Sequence, residues 1–392
     1  MLGNLNLFSK PIISKTVNKL ISYGLDQEVS DIQLEIILDG SLEVKYKSYG
    51  QFGDSFYFDQ AVALGVFDHF KDLAKLDKEN YSGSFNLNLD GRQVKIEASI
   101  IKTGRGEIIN LKTKAQKNEL LFLDELGLSQ NHFDLMEANL YAKGISIISG
   151  LESSGKTTTA LAWLLACNSI NLNVYSLSSN ELIKLRGINQ VLVKNQTPRD
   201  WDQALLAVTK QDADIIYLDE PPLGFDAKIL ASLSSSKTII ISLKAQSAWE
   251  AFNLMAQGNL NSSIAQTKFN LIINQRLARR LCENCCFDYT LDEKVWQDLA
   301  NTFEIMDQDL IGLKLRHAAG CQHCNHSGYL GQIGLFEMIK SNQSLDSLII
   351  KTDKKTEAQN LFDQSIDLSI IEDGFIKALK GLTTIEELKR TI

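Results

Sequence analysis

Eight residues constrain this chain more than any other stretch. Gly150-Leu-Glu-Ser153-Ser154-Gly155-Lys156-Thr157 follows the apolar run Ile145-Ser-Ile-Ile148 and opens a helix-patterned segment over 156–167, so GxxxxGK[ST] stands between a strand and a helix. The glycines let backbone N–H groups turn inward at a helix N-terminus, where the helix dipole favours an anion. This context predicts a nucleotide site built from Gly150, Ser153, Ser154, Gly155, Lys156, Thr157 and Thr158. Lys156 is placed to reach the β- and γ-phosphates of ATP, and the Thr157 hydroxyl to hold Mg²⁺. The plain alternative is a glycine turn.

A second element supports the first. Ile215-Ile-Tyr-Leu218 reads as a buried strand ending in Asp219-Glu220, and parallel-sheet enzymes place ligand groups at the carboxyl ends of their strands. Asp219 is assigned to Mg²⁺, and Glu220 and Lys156 to catalysis, with Glu220 orienting or deprotonating an attacking water. Pro221-Pro222 stiffens the backbone that follows. The structural alternative is a polar strand end that caps a neighbouring helix.

At 392 residues the chain is too long for one compact core. Helical spacing over 12–24, ending at Gly24, is followed by alternating runs over 32–49 around Asp39-Gly40, over 85–101 around Asp90-Gly91, and over 107–112. These predict an N-terminal α+β domain over 1–112, with a polar linker over 113–119. From 120 to 275, short apolar strands at 145–148, 173–177, 214–218 and 238–243 alternate with helical segments, the pattern of an α/β domain with a mostly parallel sheet. The tail over 341–392 reads as helical, with a Thr384/Glu387 capping box near its end.

Cys282-x-x-Cys285 and Cys321-x-x-Cys324 lie within a module assigned to 276–340, and each pair is a half-site for tetrahedral thiolate coordination of Zn²⁺. Cys286 can substitute for a member of the first pair, whereas His317, His323 and His326 read as solvated or as supporting groups. Cys167 reads as a small core residue. The net charge of −8 argues against a broad nucleic-acid face, which leaves a zinc-ribbon nucleic-acid binder using Arg276, Arg279 and Arg280 as a minor alternative. No apolar run reaches the 18 or so residues of a membrane helix, and the N-terminus lacks a signal-peptide core, so a cytoplasmic location is expected.

These motifs together resemble the ATPases of type II secretion and type IV pilus assembly. The phosphate loop is followed by Gln275-Arg-Leu-Ala-Arg-Arg-Leu-Cys282, Gly320-Cys321-x-x-Cys324-x-x-Ser327-Gly328-Tyr329-x-Gly331 and Gly334-Leu-Phe-Glu337. Ser30-Asp31-Ile32-x-Leu34-Glu35, Leu76-Asp77, Gly106-Glu107, Gly187-Ile-Asn-Gln-Val191 and the segment 381–392 extend the likeness over 12–392. The resemblance implies a RecA-like P-loop NTPase core beside an N-terminal α+β domain, with a tetracysteine zinc module and a C-terminal helical segment. It also implies a hexameric ring motor at the inner face of the cell membrane. There it would work with an inner-membrane platform protein to assemble pilin-like subunits, without direct contact to nucleic acid.

The departures from that family gather at the active site. Its acidic box, Thr-Ile-Glu-Asp-Pro, aligns with Ser176-Leu-Ser178-Ser179-Asn180, and its Gly-Glu-Ile-Arg-Asp with Asp219-Glu220-Pro-Pro-Leu223. Its box histidine aligns with Lys244. Family arginines align with Lys45, Lys47, Glu97, Leu206 and Lys210, in a chain where only nine of 40 basic residues are arginine. Leu218-Asp-Glu-Pro-x-x-Gly224-x-Asp226 also resembles a stretch of the ABC ATPases, without their LSGGQ signature. Two expectations follow: a working motor ATPase, in a homo-hexamer or a mixed ring with a paralogous ATPase, or a pseudo-ATPase that binds nucleotide and serves the same machinery as a regulatory or scaffold subunit.

Overall fold

The computed structural model describes residues 10–26, 29–48, 51–77, 79–89, 92–113, 120–169, 171–180, 182–194, 197–222, 224–257, 268–290, 314–324, 326–340 and 366–392. The chain divides into two compact units, Met1–Glu119 and Leu120–Ile392. Most of the polar linker, the Asp90-Gly91 turn and the tail over 341–365 lie outside the described residues.

In the first unit, α1 (Lys10–Asp26) and α2 (Gln60–Ala74) pack with a six-stranded antiparallel sheet. Its strands are β1 (Asp31–Ile36), β2 (Leu42–Ser48), β3 (Gln51–Phe58), β4 (Ser82–Leu89), β5 (Arg92–Thr103) and β6 (Gly106–Thr113), ordered β3-β2-β1-β6-β5-β4. Alternation drives the pairing: Ile32 and Leu34 on β1 and Val44 on β2 are fully buried, and they meet Val17 and Ile21 of α1 and Phe70 of α2. Close approach is bought at Gly83, where a Cβ would stand 1.9 Å from the Ala74 carbonyl oxygen at the end of α2. The sequence reading missed β3, whose apolar residues do not alternate, and α2, although its buried Ala63, Val66, Phe67, Phe70 and Ala74 recur at helical spacing.

The second unit is built on an eight-stranded sheet ordered β16-β15-β12-β7-β11-β10-β8-β9. Strands β7 (Gly144–Gly150), β8 (Val174–Ser178), β9 (Ile188–Leu192), β10 (Ile215–Asp219), β11 (Thr238–Lys244) and β12 (Phe269–Leu281) run parallel. Strand β15 (Tyr329–Lys340) joins β12 antiparallel, and β16 (Ile366–Leu368) closes that edge. A separate ribbon pairs β13 (Phe287–Thr290) with β14 (Lys314–His317). The two cysteine pairs therefore lie between β12 and β15 in the chain, and β15 extends the main sheet beyond β12.

Both sheet faces are covered, which is why the central strands β7, β10 and β11 are buried along almost their whole length. Ile239 and Ile241 of β11 face α5 (Pro198–Thr209), α6 (Ala227–Ser234) and α7 (Ala248–Gln257), with Trp201 and Phe252 in that core. Ile240, between them, faces the layer of α3 (Gln130–Asn139) and α4 (Lys156–Cys167), with Trp163 and Phe336. The described tail holds two helices, α8 (Ile370–Leu379) and α9 (Ile385–Thr391), together with β16, where the sequence pattern predicts helix alone. Only half of the predicted capping box forms: the Thr384 side chain accepts from Glu387 N–H, but the Glu387 carboxylate turns to Arg279 and Arg390.

Candidate active site and metal centre

The phosphate loop links β7 to α4, and two of its glycines have steric reasons to be there. A Cβ at Gly150 would stand 2.3 Å from Ser154 Oγ and 2.6 Å from the Gln275 carbonyl oxygen. Gly155 caps α4 at φ +88°, and Ser153 also adopts the left-handed region at φ +60°. The result is a cradle with no room for side chains and with the N-terminus of α4 at its mouth. Ser154 Oγ is buried there without a hydrogen-bond partner among the described residues. Such a cradle fits a phosphate chain.

Lys156 is buried and donates to the carbonyls of Gly150 (3.0 Å) and Leu151 (2.7 Å). Its Nζ also lies 3.0 Å from Glu220 Oε1. Glu220 reaches this position because its backbone turns left-handed, at φ +49°, immediately past the end of β10, with its N–H held by Ser242 Oγ at 3.0 Å. The two residues predicted to be catalytic are thus brought together across the loop.

Asp219, the last residue of β10, is buried among hydroxyls. Its Oδ1 accepts from Tyr217 (2.6 Å), Ser242 (3.2 Å) and Thr157 (3.4 Å), and its Oδ2 from Ser178 (2.8 Å). Among the described residues no lysine or arginine pairs with it. Burial and the neighbouring carboxylate push the Tyr217 hydroxyl well above its ordinary pKa, so it stays a donor. A buried anion met only by neutral donors is an incomplete charge balance, and the Thr157/Asp219 pair is where Mg²⁺ fits.

Sequence reading overlooked Tyr217, Ser178, Ser242 and Gln275. Tyr217 stands two residues before Asp219, on the same face of the strand, and Ser178 of β8 and Ser242 of β11 are the register partners of Asp219. Gln275 Nε2 donates to the Ser154 carbonyl at 2.7 Å, bracing the loop from β12. Asp226, part of the ABC-like stretch, caps α6 through Lys228 N–H. Lys244, in place of the family histidine, lies 3.5 Å from Glu152 of the phosphate loop. Thr158 is the third residue of α4.

The four predicted zinc ligands converge, with their sulfurs all within 4.8 Å of one another. A tetrahedral ion with Zn–S bonds of about 2.3 Å holds its thiolates about 3.8 Å apart. The sulfur pairs Cys282–Cys321, Cys285–Cys324 and Cys321–Cys324 stand at 3.9, 3.7 and 3.8 Å. Burial raises the Cys282 thiol and pushes that of Cys285 up to about 12, whereas N–H groups of Cys321 and Gly328 donate to the Cys324 sulfur and bring it down to about 7. The four-sulfur spacing fits Zn²⁺.

Cys286 lies outside this cluster, with its thiol toward the Glu283 carbonyl. His323 and His326 are exposed, and His317 lies 3.5 Å from Glu386. Burial pushes Cys167 up to about 12, as suits a core thiol. Two of the three arginines before the cluster turn inward: Arg276 donates to the carbonyls of Thr391 and Ile392, and Arg279 pairs with Glu387 and lies over the Tyr329 ring. Arg280 is exposed beside Glu283.

A phosphate loop at the end of a central parallel strand, faced by two carboxylates from a nearby strand end, defines a P-loop protein of the α/β class. A family model described as type II/IV secretion system protein matches residues 7–390, and the chain belongs to that family. Type II secretion system protein E of Dickeya dadantii is 26% identical over 387 residues, spanning 97% of this chain and 75% of that protein. The type IV pilus assembly ATPase PilB of Pseudomonas aeruginosa is 26% identical over 388 residues, spanning 97% and 67%.

Among solved structures, the Legionella pneumophila ATPase DotB is similar with a TM-score of 0.63 at 13% identity, over 96% of this chain and 94% of that one. The pilus retraction motor PilT with bound ADP gives 0.58 at 14% identity, over 94% and 95%. These likenesses establish the RecA-like fold. No described helix is long and apolar enough to cross a membrane.

Proposed function

We propose that this chain is the ATP-hydrolysing motor subunit of a type IV pilus or type II secretion system, coupling ATP binding and hydrolysis to the assembly of pilin-like subunits. The observation that carries this reading is the placement of Asp219 and Glu220, on one strand end, against Thr157 and Lys156 of the phosphate loop, at 3.4 and 3.0 Å.

Gly150, Ser153, Ser154 and Gly155 supply the backbone cradle, and Lys156 exchanges its carbonyl and Glu220 contacts for phosphate oxygens. Thr157 and Asp219 would hold Mg²⁺, Thr158 belongs to the nucleotide-binding set, and Glu220, freed from Lys156, orients a water and takes its proton. Mg²⁺ held there would supply positive charge against the phosphate oxygens. Cys282, Cys285, Cys321 and Cys324 would hold Zn²⁺, a structural role that closes the excursion between β12 and β15. Family membership supports a hexameric ring on the cytoplasmic face of the inner membrane, homomeric or mixed with a paralogous ATPase, working on a platform protein.

A second reading, a nucleotide-binding subunit without turnover, draws on Ser178 and Ser179 at the family's acidic-box positions. Lysine loss separates the site from its alternatives. Lys156→Ala removes a charge-assisted contact worth about 1.5–3 kcal/mol, so ATP affinity falls about tenfold or more. Unchanged affinity in that variant contradicts the site assignment.

A further inference from the structure

Asp373 of α8 presents its two oxygens to two different bases. Oδ2 accepts from Lys377 Nζ, one turn further on, and from the Phe336 N–H of β15 at 2.8 Å. Oδ1 is buried without a hydrogen-bond partner among the described residues and faces His132 Nδ1 of α3 at 3.9 Å. Lys377 also donates to the Gly334 carbonyl at 2.6 Å, so side chains of α8 take up edge groups of β15 that no strand pairs. The Phe336 ring lies between the bases, 6.5 Å from the imidazole and 5.1 Å from the ammonium. His132 and Asp373 are 0% exposed and Lys377 is 4% exposed. Two helices from opposite ends of this unit thus meet on one strand through a dry, charged cluster.

One carboxylate balances one cation. With Lys377 charged the cluster is neutral, and a proton added to His132 leaves a buried positive charge without a counter-ion of its own. Burial, helped by Lys380, outweighs Asp373 and holds Lys377 below its ordinary 10.5, the mark of a site that tolerates little further positive charge. Other charges on the packed elements are engaged elsewhere: Glu387 with Arg279 and Arg390, Glu386 with His317, Arg316 with Asp288, and Asp134 with Gln130. Arg276 holds the last carbonyls of the chain, Glu372 turns to its cap at Ser369, and Glu337 alternates away from Phe336 on β15. Glu137, Lys314, Lys340 and Lys389 are exposed.

We propose that this cluster is a proton-operated latch: with His132 neutral, Asp373 and Lys377 hold α8 on the edge of β15, and a proton on His132 releases it. The latch bears on the phosphate loop through the neighbouring strand. Phe336 is the register partner of Gln275 on β12, and Gln275 braces the Ser154 carbonyl. That coupling rests on the nucleotide-site reading above, whereas the latch itself does not.

Amide hydrogen exchange over α8 in the full chain, corrected for intrinsic rates and followed from about pH 8 to about pH 5, tests the latch. A free imidazole takes its proton near roughly pH 6.5. Protection should therefore be level above that point and fall by up to about tenfold per pH unit below it, the slope for one proton taken up on opening. His132→Gln should remove the fall. A fall of the same size in that variant overturns the proposal, and so does native protection that stays level down to about pH 5. Where His132→Gln does not fold, the imidazole NMR signal of His132 in the native chain decides: it should titrate with the midpoint at which protection is lost, and separate midpoints overturn the proposal. ATP affinity should fall more steeply with acid in the native chain than in His132→Gln, and equal slopes overturn the coupling to the phosphate loop. Failure of ATP to bind at neutral pH contradicts the nucleotide-site reading itself.

Discussion

Lys156 Nζ lies 3.0 Å from Glu220 Oε1, so the cation proposed to meet phosphate and the carboxylate proposed to handle water neutralise each other across the phosphate loop. The pair is asymmetric. Lys156 is 5% exposed and fixed by two carbonyls, whereas Glu220 is 50% exposed and projects from a left-handed residue. On the proposed reading, phosphate arriving at Lys156 displaces the more exposed partner and frees its carboxylate for water.

Gln275 braces this loop from outside the nucleotide position. Its Nε2 donates to the Ser154 carbonyl at 2.7 Å, and the residue is 1% exposed. Gln275→Ala should weaken ATP binding by about fivefold, the equivalent of about 1 kcal/mol for one hydrogen bond. Calorimetric titration checks this, and unchanged affinity contradicts the bracing role.

The cysteine cluster should carry one zinc per chain by metal analysis. Cys282 N–H bonds the Gly328 carbonyl, and Leu281 N–H bonds that of Leu382 near α9, so a metal held here would secure the backbone on which the tail docks. Cys282→Ser should abolish stoichiometric zinc and lower the thermal midpoint. Equal midpoints with and without a strong chelator would contradict a structural metal.

Glu387 anchors α9 through Arg279 and Arg390 while itself fully buried. Burial works to raise its pKa, but hydrogen bonds from both arginines outweigh that and hold it below its ordinary 4.5. A depressed folded pKa gives stability that is present above the unfolded value and is lost as pH falls through the folded one. Acid unfolding below about pH 4.5 should therefore include this group. Glu387→Gln should remove that part of the pH dependence and cost about 3 kcal/mol at neutral pH, as breaking a buried pair does.

The phosphate loop, Asp219-Glu220 and the paired cysteines were legible because each is contiguous and its spacing carries the chemistry. Tyr217, Ser178 and Ser242 were not, because a hydroxyl gains its role only when strand register sets it beside Asp219. Strands β12 and β15 were hidden in a similar way. Gln275-Arg-Leu-Ala-Arg-Arg-Leu281 looks like a charged motif, yet its arginines lie along a long strand whose partners, Thr391, Ile392 and Glu387, are about a hundred residues away.

The central claim is that Glu220 completes a hydrolysing site despite the serines at 178 and 179. Single-turnover hydrolysis of ATP with Mg²⁺, measured beside ATP affinity for the native chain and Glu220→Gln, tests it most directly. The account predicts similar affinities and a rate at least about 100-fold lower in the variant, the scale of a lost general base. Tight binding by both chains with equal, negligible turnover would contradict it.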